Sequence, residues 1–300
     1  SYIDLQVFKN EYPRTTGYVI FSTEAVGGWG SQVATSGGYG APASASYEYI
    51  LVKGGPNTSQ RDVGKDIRDT STNYKGGYAN IYNFGKNRES NLKIDGIDGN
   101  TVEFWLKKNE FHPSLTAKEV IVDVYTTSSV SSSAGYGRLR IEMSGHGADD
   151  GRTKSPFYVT YMSGADGCFR REIGQSVTTS SIADSAWHHY AFTFKNTGSN
   201  IQTKLYVDGR VNDTITAGSS INYVSGNIIA TIGALAYAPS SSNEAIISRG
   251  WGKLSASLDE FRFWKTKRSP QHIGRYWRDQ VGGGTNTDIA NTDLGVYFKF

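Results

Sequence analysis

Four aromatic residues, Trp29, Tyr136, Tyr237 and Trp251, lie in stretches that read as loops, where a ring facing solvent would give a sugar something to stack on. A pocket of that kind also needs a few fixed polar groups beside the ring. Cleaving a glycosidic bond makes a different demand: two carboxyl groups must flank one bond, about 5–5.5 Å apart where configuration is retained. Asp259 and Glu260 are adjacent in an alternating run and so point to opposite faces of a strand. Glu119 and Asp123 share another strand but are followed by apolar residues. His188 and His189 suggest a metal, yet strand neighbours project to opposite sides and cannot ligate one ion. The expectation is one packed and one solvated histidine. Neither stands at a readable spacing from a Ser or Cys nucleophile.

The elements that would position these residues are strands. From Trp187 to Asp213, Tyr190, Phe192 and Phe194 alternate with Ala191, Thr193 and Lys195, which puts the aromatics on one sheet face. A polar break at 196–200 turns the chain, and Leu205 and Val207 resume the alternation. Asp208-Gly209 then reads as a type I′ hairpin turn, whose two central residues both need φ > 0. Three consecutive antiparallel strands follow.

Further strands are expected at 1–8, 17–23, 46–53, 78–84, 91–94, 101–107, 120–125, 138–143, 157–162, 168–173, 228–233 and 254–263. Residues 25–46, rich in Gly, Ser and Ala, read as a long surface loop. Residues 57–77 read as a polar loop or a short helix. Ser269-Pro270 has the form of a helix start, with Ser as N-cap and Pro at N1, leading a helix over about 271–277. About a dozen strands and one or two short helices make a two-sheet antiparallel sandwich. Leu294 to Phe300 starts one more alternating run, whose partner is either a strand of this domain or further chain.

The bulk numbers agree. In 300 residues there are 35 Gly and only 7 Pro, which suits short strands joined by glycine turns, and aromatics reach 13%. The net charge of +3 is spread along the chain without a Lys/Arg block, which argues against a nucleic-acid groove. No apolar run approaches the ~18 residues of a membrane helix. Cys168 is the only cysteine, so no disulfide can form within the chain and a four-cysteine zinc site is excluded.

Taken in order, TVEFWLKK, WHHYAFTF, KLYVDGRV, IIATIG and LDEFRFWKTKRSPQHI resemble the concanavalin A-like lectin/glucanase superfamily, most closely laminin G-like domains of its pentraxin-related branch. The resemblance implies an all-β jelly-roll of two antiparallel sheets. On this reading residues 78–278 form the jelly-roll and 1–77 a loop-rich extension of the same sandwich. Residues 279–300 form a Gly-rich linker and the first strand of a following domain. The glucanases of the superfamily carry Glu-x-Asp-x-x-Glu, and no such triplet is present, so no enzyme is expected. Relatives bind calcium at loop carboxylates, which nominates Asp149, Asp150 and Asp166. Two neighbouring acids supply too few of the roughly 6–8 oxygens Ca²⁺ prefers unless other groups help. The GGGTNTDIANTDLGVYFKF junction and the Ser/Thr/Asn-rich texture also resemble virion structural proteins of tailed phages. The functional expectation is a non-enzymatic attachment module of a virion or extracellular surface protein, with other protein subunits as partners. The alternative is a lectin-like module that binds surface glycans.

Overall fold

The computed structural model describes residues 92–111, 118–126, 135–145, 155–224, 228–235, 252–281 and 293–299, together with the backbone of strands at 17–23, 34–35, 39–40 and 48–54. Among the described residues fifteen strands run in chain order: β1 Gly17–Thr23, β2 Ala34–Thr35, β3 Tyr39–Gly40, β4 Glu48–Gly54, β5 Asn100–Lys107, β6 Lys118–Thr126, β7 Gly137–Ser144, β8 Phe157–Ser163, β9 Asp166–Glu172, β10 Trp187–Thr197, β11 Asn200–Val207, β12 Arg210–Ala217, β13 Ile228–Ile232, β14 Ser257–Trp264 and β15 Leu294–Phe298. Helix α1, Thr179–Ile182, precedes β10, and α2, Pro270–Tyr276, follows β14.

Two sheets face each other. One runs β12-β11-β10-β5-β14-β15, and the other runs β1-β4-β13-β6-β7-β8-β9, with β2 and β3 added beside β6. Every pairing is antiparallel except the single β3–β6 bridge. The small β2–β3 ladder lies within the stretch expected to be loop. This is the two-sheet jelly-roll sandwich.

The alternating aromatics explain why the layers close. Phe157 of β8 meets Tyr190 and Phe192 of β10 at ring separations of 5.0 and 5.3 Å, and Tyr161 stacks on Phe194 at 4.9 Å. Val102, Phe104 and Leu106 of β5 join Leu139, Ile141 and Met143 of β7 in the same buried cluster. Burial of this apolar surface is the main stabilising term.

Three local expectations change. Residues 92–95 form no strand, although Leu92 and Ile94 still enter the core. Helix α1 had no expectation; Thr178 and Ser181 close a capping box around its single turn. Of the two partners open to the last run, the structure supplies the one inside the domain. β15 pairs with β14, and Val296 and Phe298 enter the main core, so this strand is part of the sandwich. The strands expected at 1–8 and 78–84 lie outside the described residues.

The faces turned away from the core are covered too. On β5 and β10, Glu103, Ala191, Thr193 and His189 are all buried. Helix α2 lies over this face, with Ile273 packed on Ala191 and Tyr206, and Trp277 stacked on Trp105 at 5.4 Å. Ser269 caps the helix by accepting from the His272 N–H at 3.1 Å, with Pro270 in the first turn as its sequence requires.

Candidate functional site

Of the sequence candidates, Tyr136 and Asp166 lie among the described residues. Trp29, Tyr237, Trp251, Asp149 and Asp150 lie outside the described residues. Tyr136 is 7% exposed and therefore folded back onto the sandwich, so it is no solvent-facing platform. Asp166 is exposed at the start of β9 and accepts a hydrogen bond from Ser219 Oγ at 3.1 Å. Among the described residues no group of three or more His, Cys, Asp or Glu side chains could hold a metal ion.

The histidines separate as alternation demands. His189 is buried edge-on to Trp105, with Nε2 3.5 Å from Glu103 Oε2. His188 is partly exposed on the other side, its Nδ1 2.9 Å from Asp208 Oδ2 and its Nε2 2.9 Å from Asp184 Oδ2. Partial burial opposes its charge, but the two carboxylates outweigh this and raise its pKa. Both ring nitrogens of His188 are thus engaged by carboxylates. Asp208 also accepts from the His189 N–H, so one side chain serves turn, strand and histidine.

The buried carboxylates are committed to cations. Asp123 receives two parallel hydrogen bonds from Arg140, at 2.9 and 3.0 Å, and Arg138 lies 3.2 Å away. Glu142 pairs with Arg170 at 2.6 Å. Glu119 is held by Lys108. Glu103 sits among Arg268, His189 and Arg262 at 3.3–3.6 Å. Burial pushes its pKa up, but His189 and the two arginines prevail and hold it down at about 2. The strand expected to place Asp259 and Glu260 on opposite faces is irregular. Its pairing with β5 breaks between Asp259 and Arg262, and Glu260 has φ +50°. Glu260 bonds to Arg262 at 2.9 Å and also accepts from the Tyr297 hydroxyl.

A group of clustered cations lies where β10, β11 and the turn into α2 meet. A recess of about 460 Å³ is lined by Lys195, Asn196, Thr197, Gln202, Lys267, Arg268, Ser269 and Pro270. Lys195 faces Gln202 across the hairpin and Lys204 faces Thr193, so the two lysines are diagonal neighbours on one face. Lys267 arrives from the other side, its N–H bonded to Asp98 O at 3.0 Å. Gly99, at φ +81°, separates the stems: a Cβ there would lie 2.9 Å from Lys267 Cβ and 3.2 Å from Lys195 Cβ. Burial, then the charges of Lys204 and Lys195, lower the Lys267 pKa. Among the described residues none of these three lysines has a carboxylate partner. Arg268 is different, since it pairs with Glu103 and lies 3.8 Å over the Trp264 ring. The hairpin half of this feature is readable in sequence as two lysines, one on each strand, on one face of the hairpin. Lys267 joins it only through the fold.

No curated protein matches the sequence. Among solved structures, the native heptameric SAP-like pentraxin from Limulus polyphemus is similar at 11% identity over 61% of this chain and 71% of that one, with TM-score 0.38. Domain 4 of an extracellular arabinanase from Geobacillus stearothermophilus, in complex with arabinotriose, has 12% identity, coverages of 86% and 87%, and TM-score 0.37. The CBM40 of the Ruminococcus gnavus IT-sialidase, bound to α2,3 sialyllactose, has 10% identity, coverages of 61% and 90%, and TM-score 0.36. The family model for the concanavalin A-like lectin/glucanases, of laminin G type, matches residues 87–274, more than half of the chain. The chain belongs to the concanavalin A-like lectin/glucanase superfamily.

Proposed function

We propose that the chain is a non-catalytic, lectin-like module that binds carbohydrate, carried by an extracellular or surface protein. One observation carries this reading: in a domain of a lectin/glucanase superfamily, the buried carboxylates of the described sheets are bound to cations. Glycoside hydrolysis needs an acid whose pKa is raised so that it can donate a proton. Glu103, at about 2, is the reverse. The recess beside α2, in contrast, offers the side chains of Gln202 and Thr197, which have no hydrogen-bond partner among the described residues, and its ~460 Å³ matches a small-ligand site.

The attachment role in a virion or surface assembly draws no support from the family match, whereas carbohydrate binding does. The test is a glycan array with the purified chain, followed by backbone amide shifts on titration of any glycan retained. Binding with shifts at 195–204 and 267–269 is expected. Sugar release from the glycans, or an array without binding, refutes the proposal.

A further inference from the structure

We infer that the recess takes an anionic sugar unit, one bearing a carboxylate or a sulfate ester. This rests on the carbohydrate-binding reading and specifies its ligand. The motive is a local clustering of positive charge, whereas the most deeply buried cations of the described structure are paired with carboxylates. Lys93 pairs with Asp95 and Asp98, Lys108 with Glu119, Arg138 and Arg140 with Asp123, Arg170 with Glu142, and Arg262 with Glu103 and Glu260. Lys195, Lys204 and Lys267 are also half-buried, yet they face one another with no such partner.

The charges of Lys204 and Lys195, after burial, oppose the charge on Lys267, a repulsion that a bound anion would relieve. The fold enforces it. Gly99 lets the Lys195 and Lys267 stems approach, and any larger residue would collide with Phe194 O at 2.3 Å as well as with both stems.

The remaining lining chooses the kind of anion. The recess contains no aromatic ring, so a nucleobase finds no stacking partner there. Thr197 and Gln202 suit the hydroxyls of a sugar ring, while Asn196 is already spent on Ile221 through both amide atoms. Lysine is a compact point charge that serves carboxylate and sulfate ester alike, so their shared negative charge defines the ligand class.

The experiment is calorimetric titration of the chain, at about 50 mM salt, with four probes. These are an oligogalacturonate, a heparin-type sulfated oligosaccharide, an uncharged oligosaccharide of equal length and a short single-stranded DNA. The expected result is binding of one or both anionic sugars, weakened at least tenfold at about 500 mM salt. Lys195→Gln and Lys267→Gln should each weaken it about tenfold and together about a hundredfold, without lowering the melting temperature of the free chain. The ratio of the two anionic arms separates carboxylate from sulfate recognition. Lys267, followed by NMR, should titrate at higher pH once the probe is bound. Equal binding of the uncharged sugar, or full binding by the double variant, overturns the inference and leaves the lectin reading standing. Tighter binding of the DNA at the same lysines also overturns it. Silence from every sugar removes both.

Discussion

Replacing Lys108 by Met should cost the domain about 3–5 kcal/mol. Lys108 directly follows β5 and is completely buried, with its ammonium 2.8 and 2.9 Å from the two oxygens of Glu119 and 2.9 Å from Ser255 O. Glu119 also accepts from the Ser255 N–H at 2.8 Å, so the pair joins β5, β6 and the approach to β14. Methionine keeps most of the stem but leaves a carboxylate, 1% exposed, without its cation. For a domain of about 200 residues this means a fall in Tm of about 10 °C. Removing both charges, as K108M/E119M, should recover most of the loss, because it also removes the desolvation cost of the carboxylate. The pKa of Lys108 points the same way: burial lowers it, and the pull of Glu119 does not compensate. Its folded value lies below the unfolded one, so the unfolded chain binds more protons and stability rises with pH between the two. K108M should lose that slope. Thermal melts of the four species of the cycle between pH 7 and 10.5 provide the measurement. A single-variant loss below about 2 °C, or a double variant worse than the sum of the singles, refutes the reasoning.

Glu103→Gln should flatten the acid limb of the stability curve. The carboxyl is held at about 2 against an ordinary 4.5, so its contribution of about 3 kcal/mol is complete above pH 4.5 and lost as pH falls through 2. Urea melts from pH 5 to 2 should show parallel curves for variant and parent if this is wrong. His188 has a raised pKa, so its contribution is complete below pH 6.5 and fades as pH rises through the folded value. Asp208→Asn should keep the turn, since Asn tolerates φ +48°, while lowering the His188 titration midpoint seen by NMR; an unmoved midpoint would exclude the bridge. Gly209→Ala should cost roughly 1–3 kcal/mol, because φ is +76° and the new Cβ would lie 2.3 Å from Trp277 Cδ1. The displaced indole should lose its stacking on Trp105, and an unchanged tryptophan emission spectrum would contradict this.

The Trp187–Asp213 hairpin was legible because each of its signals is local. Period-two aromatics set its faces, and the left-handed pair Asp208 and Gly209, at φ +48° and +76°, set its turn. Helix α2 was legible for the same reason, through Ser269 and Pro270. Glu260 was not. Its left-handed φ arises where the β14 register breaks against β5, and nothing in LDEFRFW marks that break.

Alternation divides residues between two faces, but it does not reveal that the second face is also covered. Glu103, Asp123, Arg140 and Glu142 follow the polar half of the pattern, yet each is at most 5% exposed. A single strand cannot declare its charges paired, because the partner comes from another strand: Arg140 of β7 for Asp123 of β6, Arg170 of β9 for Glu142 of β7. Once that pairing is visible, acidic residues that looked like catalytic candidates become scaffold. The unbalanced lysines then stand apart, and only the tertiary fold brings Lys267 beside Lys195 and Lys204. The chemistry of this domain therefore turns on which charges the fold leaves unanswered, a property of no single segment.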